Sequence, residues 1–260
     1  MQGHRHGHRA LAVTANGWAE LRQVGFATLD HAAAVRTATD LLALGPGFGD
    51  PLLAELGLAD FTAPVGPGTY VEVLAPVTPG HPVARWLGKV GGSSGWVLSI
   101  QVPSLDGVKE RAAEHGVRVA VETQAMGHDI IQLHPLDAGV LLELDAFLPR
   151  DGWFWDDLPA AQAAQAARTA KADDIVAVDV AVAGPRDPAA MARTWAAIIG
   201  IEPPVATADG AVLAFGRRTV RFAPARGGRT GIVAVDVHAT DREHRPGQQG
   251  MLCHTMISFI

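Results

Sequence analysis

Apolar and polar positions along the chain fall into short alternating or helical runs separated by turn residues. TYVEVLAPV (69–77) and WVLSIQV (96–102) have strand composition with turn signals at both ends. LDGVKERAAEHG (105–116) has helical spacing: Leu105, Val108 and Ala112 share one face, charges take the other, and Gly116 sits at the C-cap. VGFATLDHAAAV (24–35) reads as an apolar strand, and RTATDLLALG (36–45) as a short helix closed by glycine. HPVARWLGKVGGSSG predicts a helical turn and a glycine-rich loop, and RVAVETQ, HDIIQLHP and VLLELDAF predict three more strands.

The order strand, helix, strand, strand thus occurs twice between residues 24 and 147. It restarts with the strand DIVAVDVAVAG (174–184) and the helix PAAMARTWAAIIG (188–200), where Met191, Trp195 and Ile198 form one stripe. AVLAFG, RTVRFAPA and GIVAVDVHA are further strands, and MLCHTMISFI is a last one with no room for a second helix before it. The expected class is α+β, built from repeated βαβββ units. The expected organisation is an irregular N-terminus (1–20), a first domain of two units (21–148), a connector with a helix (149–173) and a second, shortened domain (174–260). Trp153, Phe154 and Trp155 read as packing anchors at the junction. A unit without its helix should leave apolar sheet uncovered, which predicts a homodimer.

Composition narrows the function. Apolar residues make up 48% and charged residues 18% of the 260 positions, against a usual charged share of about 25%, which supports a sizeable core. With a net charge of −6 there is no basic surplus for nucleic-acid phosphates. The single cysteine, Cys253, excludes an internal disulfide and a multi-cysteine zinc site. No apolar run approaches the roughly 18 residues of a membrane span, and no signal-peptide pattern opens the chain. A cytoplasmic protein with a small-molecule ligand, and with no membrane or nucleic-acid partner, is the expectation. His4, His6 and His8 form a tract of a kind that binds metals, read here as part of the irregular terminus. Gly91 to Gly95 fits G-x-S-x-G in letters only, because its serines precede a strand.

LDHAAAV at the opening of the first unit and EVLAPVTPGHPVARWL in its last strand and beyond resemble the vicinal oxygen chelate superfamily. So do GWVLSIQVPSLDGVKERAAEHGVRV in the second unit and LHPLDAGVLLEL at its end. That superfamily includes glyoxalase, methylmalonyl-CoA epimerase, extradiol dioxygenases and bleomycin-resistance proteins, and the first domain is most similar to the epimerase-like branch. The resemblance implies two glyoxalase-like domains, the second truncated, whose units pair into cupped mixed sheets around a divalent metal (Zn, Mn, Co, Ni or Fe). It places metal ligands at His31, Glu72 and Glu143. The second histidine of the pattern falls on Val97, or on Trp96 with a slip of one residue. Neither binds a metal, so the ligand set is incomplete and allows for no metal at all.

Strand alternation gives independent support for two of these positions. Val71 and Val73 flank Glu72, and Leu142 and Leu144 flank Glu143, so each glutamate faces away from an apolar layer. Glu143 and Glu72 are the candidate catalytic residues, and Trp96, Tyr70 and Trp86 the candidate substrate-binding ones. The second domain offers only Asp179 at such a position. Two functions follow. One is a metal-assisted isomerase or lyase acting on a small carbonyl or acyl substrate, with a ring-cleaving dioxygenase as a variant. The other is a non-catalytic small-molecule-binding protein of the bleomycin-resistance type.

Overall fold

The computed structural model describes residues 17–169, 171–241 and 246–260. The His-rich tract at residues 4–8 lies outside the described residues. The first unit contains β1 (Glu20–Thr28), α1 (His31–Leu42), α2 (Pro51–Glu55), β2 (Leu58–Gly66), β3 (Thr69–Pro76) and α3 (Pro82–Val90). The second contains β4 (Ser93–Val102), α4 (Val108–Glu114), β5 (Val119–Ala125), β6 (His128–Leu133), α5 (Pro135–Ala138) and β7 (Leu141–Ala146). After α6 (Pro159–Ala167), the third unit is β8 (Ala172–Val182), α7 (Pro188–Ile199), β9 (Val205–Ala206), β10 (Ala211–Phe215) and β11 (Arg218–Pro224). The fourth is β12 (Gly231–Ala239), β13 (Gln249–Leu252) and β14 (Thr255–Phe259).

Two local readings are corrected. The run at 24–35 predicts one strand, but the chain turns into α1 at His31. Asp30 is the reason: its side chain accepts the Ala33 N–H at 3.0 Å, and an Asp N-cap before an alanine run is a strong helix start. The run at 251–260 predicts a single strand, but it folds as a hairpin. Cys253 and His254 take φ of 47° and 61°, the left-handed pair that a two-residue hairpin turn requires.

The fourteen strands form two seven-stranded mixed sheets, ordered β2-β3-β1-β4-β7-β6-β5 and β13-β14-β12-β8-β11-β10-β9. In each, two parallel pairs are joined by a central antiparallel contact: β1 with β4 in the first, β8 with β12 in the second. One buried cluster holds Phe26, Ile100 and Leu142 of the first sheet and Val178, Phe222 and Ile257 of the second. Ala38 of α1, Ala112 of α4 and Trp195 of α7 belong to the same cluster. The helices therefore serve both sheets. Arg111 on α4 donates to the Ile198 carbonyl of α7 at 2.8 Å, and the Trp195 indole donates to the Ala138 carbonyl of α5 at 3.0 Å. Arg218, 3% exposed, pairs with Asp174 at 2.8 Å and reaches the Leu21 carbonyl of β1 at 3.3 Å. Among the described residues, no helix is long and apolar enough to cross a membrane.

The missing helix of the fourth unit does not leave an apolar face open. α1 of the first unit packs on β13, with Leu41 so close that a Cβ on Gly250 would stand 2.5 Å from it. Ile232, Val235, Leu252 and Phe259 are buried in the shared cluster. The physical reason for expecting a second copy is thereby removed. Because one core serves both sheets, Trp195→Ala is expected to destabilise the whole chain by about 3–5 kcal/mol. Urea melts followed by far-UV circular dichroism and by tryptophan fluorescence should then shift together; separate transitions for the two sheets would contradict the shared core.

Candidate functional site

Each sheet turns one face to the helices, so its other face carries what strand alternation puts there. On β7, Leu142 and Leu144 enter the core, and Glu143 and Asp145 point the opposite way. On β3, Val71 and Val73 enter the core and Glu72 does not. Gly25 on the central strand β1 lies opposite both Glu72 and Val97. A Cβ there would stand 2.4 Å from Val97 Cγ1 and 2.9 Å from Glu72 Oε2, so only glycine lets that carboxyl lie across the sheet. The face encloses a cavity of about 370 Å³. Gln23, Glu72, Glu143 and Asp145 line its floor, and the connector residues Trp153 and Trp155 close it. Asp50 and His81 also line it, from the segments before α2 and α3.

A hydrogen-bond network orders the floor. Ser99 Oγ donates to Glu143 Oε1 and Gln132 Nε2 to Glu143 Oε2, both at 2.6 Å. Gln23 Nε2 donates to Glu72 Oε2 at 3.3 Å, while its Oε1 accepts the Trp155 indole N–H at 2.9 Å. Neither Arg nor Lys is among the residues lining the cavity. Burial, then the charges of Glu143 and Asp60, push Glu72 from 4.5 up to about 8, against the Gln23 hydrogen bond. Burial and Glu143 hold Asp145 well above the carboxylate range. Burial raises Glu143 too, but the hydrogen bonds from Ser99 and Gln132 favour its charged form. Of the three carboxyls, Glu143 is the one whose charged form two side-chain donors support against burial.

The structure brings Glu72, Glu143 and Trp96 to one cavity. It does not bring His31 there as a strand residue. His31 opens α1, with Nε2 3.1 Å from the Val73 carbonyl oxygen, and the cup-facing residue of β1 is Gln23. Tyr70 is buried in one cluster with Trp153 and Phe154, its hydroxyl donating to Asp156 at 2.7 Å. Trp86 packs against Trp96 with ring centroids 4.5 Å apart and does not itself line the cavity. Sequence reasoning misses Asp145, Gln23, Ser99 and Gln132. Asp145 carries a signal, since it lies two residues from Glu143 on the same strand face. The reading of Trp153 to Trp155 as junction anchors omits that they cover the cup. The second sheet carries a cavity of about 560 Å³ as well, but its central arginine, Arg221, is bound by Asp179 and, at 2.8 Å, by Asp236.

No protein-family model matches the chain, and no curated protein matches it. Among solved structures, a hypothetical protein from Staphylococcus aureus aligns over 93% of this chain and 99% of its own, with a TM-score of 0.62 and 11% identity, a likeness of fold alone. Methylmalonyl-CoA epimerase from Mycobacterium tuberculosis is 26% identical over 55% of this chain and 95% of its own, with a TM-score of 0.43. A variant of the Streptomyces coelicolor epimerase, in complex with 2-nitronate-propionyl-CoA, is 26% identical over 48% of this chain and 95% of its own, with a TM-score of 0.40. Each seven-stranded mixed sheet joins one four-stranded βαβββ unit to a unit of three strands, so the repeated βαβββ pattern expected from the sequence is complete only in the second and third units, and the architecture is that of the vicinal oxygen chelate fold.

The metal that this fold class implies does not fit the residues here. Val97 offers carbon at one expected ligand position, and Gln23 has its oxygen taken by Trp155. Both Glu143 oxygens accept hydrogen bonds from neighbouring side chains. Among the described residues, no three His, Cys, Asp or Glu side chains are grouped to hold an ion.

Glu72 ties the site to stability. Below pH 4.5 both folded and unfolded states are protonated there, and stability is full. Between 4.5 and about 8 the unfolded state ionises and the folded state does not, so stability falls as pH rises through that window. Glu72→Gln should remove this loss, raising stability at pH 8 by a few kcal/mol and changing it little at pH 4. Melting temperature against pH for both proteins reads the effect; parallel curves would contradict it.

Proposed function

We propose that the cup of the first sheet binds a small carbonyl or acyl compound and moves a proton on it without a metal, as an isomerase-type enzyme. The observation that carries this reading is the pairing of unlike carboxyls in one largely apolar cavity. Two donors support the charged form of Glu143 against burial, and Glu72, with one donor, is pushed further toward its neutral form. Environments that separate the pKa values of neighbouring acids mark a base and an acid. Glu143 takes the base role and Glu72 the acid role, while Trp96 supplies an apolar wall.

A second reading, binding without turnover, draws support from the completeness of the network, in which Trp155, Ser99 and Gln132 already satisfy Gln23 and Glu143. Deuterium uptake separates the two. A panel of small ketones and acyl thioesters is incubated with the protein in D₂O and followed by proton NMR. Turnover predicts exchange of the hydrogens next to the carbonyl. Glu143→Gln should lower that exchange by about 10²-fold or more, and EDTA should leave it unchanged. A ligand that binds without exchange favours the second reading, and loss of exchange on chelation would overturn the metal-free one.

A further inference from the structure

Three buried polar atoms on residues of the cavity wall have no hydrogen-bond partner among the described residues. They are both carboxyl oxygens of Asp145, 1% exposed, and the indole nitrogen of Trp153, 3% exposed. Both residues line the cavity. Asp145 lies opposite Ile130 across the β6–β7 pair, and Ile130 packs in one cluster with Trp153 and Phe154. Buried polar groups are nearly always paired, so three unpaired atoms on two residues that line one cavity point to a partner that arrives with a ligand.

We propose that Asp145 and Trp153 form a donor pair that receives the carbonyl oxygen of the substrate. This deepens the proton-transfer reading and rests on it. With neither Arg nor Lys lining the cavity, burial keeps the Asp145 proton in place, so its O–H and the Trp153 N–H both donate. In the reaction, the C–H bond beside the carbonyl breaks and its proton passes to the Glu143 carboxylate. The electron pair forms the carbon–carbon double bond, and the carbonyl π pair moves onto oxygen, where the two donors bind it. Delivery of a proton from the neutral Glu72 carboxyl to the other face of that carbon re-forms the carbonyl, leaves Glu72 ionised and Glu143 protonated, and completes an isomerisation with no oxidant or reductant. Donors fixed where charge develops fill the role that a metal has elsewhere in this fold class. Glu143 is two residues from Asp145 on the same face of β7, which puts base and donor side by side.

The test uses the full chain carrying Glu143→Gln, which mimics the state after proton uptake. 4-Nitrophenolate serves as a mimic of the enolate oxygen and nitrobenzene as its uncharged control, with binding read by calorimetry and by phenolate absorbance. The phenolate should bind about tenfold tighter than nitrobenzene or better, the difference expected for hydrogen bonds to a charged oxygen. Adding Asp145→Leu should remove that preference without changing nitrobenzene affinity, and Asp145→Asn, which keeps a donor, should restore most of it. Trp153→Phe should weaken the phenolate several-fold, consistent with the loss of one donor. Asp145→Leu should fold with an unchanged or higher melting temperature, since it removes an unpaired buried carboxyl. Equal weakening of both probes by Asp145→Leu would make Asp145 a shape residue only and overturn the proposal. A wholly absent phenolate preference would overturn it too while leaving the deuterium-exchange result standing, whereas failure of both probes to bind would count against the cup as a ligand site.

Discussion

Two sheets share one layer of helices, and burial of that common apolar surface is the constraint on which the rest of the structure depends. A sheet has two faces, and only the face toward α1, α4 and α7 joins the main core. The opposite faces are then left for smaller clusters, polar groups and cavities. The same layer explains how the fourth unit does without a helix: α1 covers β13, so one helix serves strands from both ends of the chain.

The outward faces of the two sheets present equivalent strand positions and are used differently. In the parallel pair β1 and β3, Gly25 lies opposite Glu72, and the missing side chain leaves room above the sheet. In the corresponding pair β8 and β11, Asp179 lies opposite Arg221, and the arginine spans to Asp236. In the second cup opposite charges bind each other. Carboxyls without Arg or Lys partners in the first cup leave a demand that neighbouring donors only partly meet. That difference in charge pairing, more than any difference in strand order, distinguishes the two cups.

The strap formed by residues 153–155 changes the electrostatics it encloses. Phe154 and Trp153 pack at 4.8 Å between ring centroids, and Phe147 and Tyr70 stand behind them. With aromatic rings as a lid, the carboxyls below lose the solvent that would otherwise stabilise their charge. The raised pKa values of Glu72 and Asp145 therefore depend on this lid as much as on their own strands.

Much of this is legible in the sequence. Alternation in VEV and LELD puts Glu72 and Glu143 on the face away from the core, because side-chain direction in a strand is a local property of period two. The same rule carries Asp145 with them. The stripe of Met191, Trp195 and Ile198 likewise marks the buried side of α7. Val97 at a family ligand position already puts the metal in question. The sequence reading misplaces His31 because the apolar composition around it outweighs the capping power of Asp30 there. Other features have no local signal. Trp155 meets Gln23, and Trp195 meets Ala138, across long stretches of chain, and the sequence holds no period that relates them. Sequence alone determined which residues share a strand face. Tertiary structure decided which faces are closed, which charges find partners and which buried atoms are left without one, since each of these depends on contacts between segments far apart along the chain.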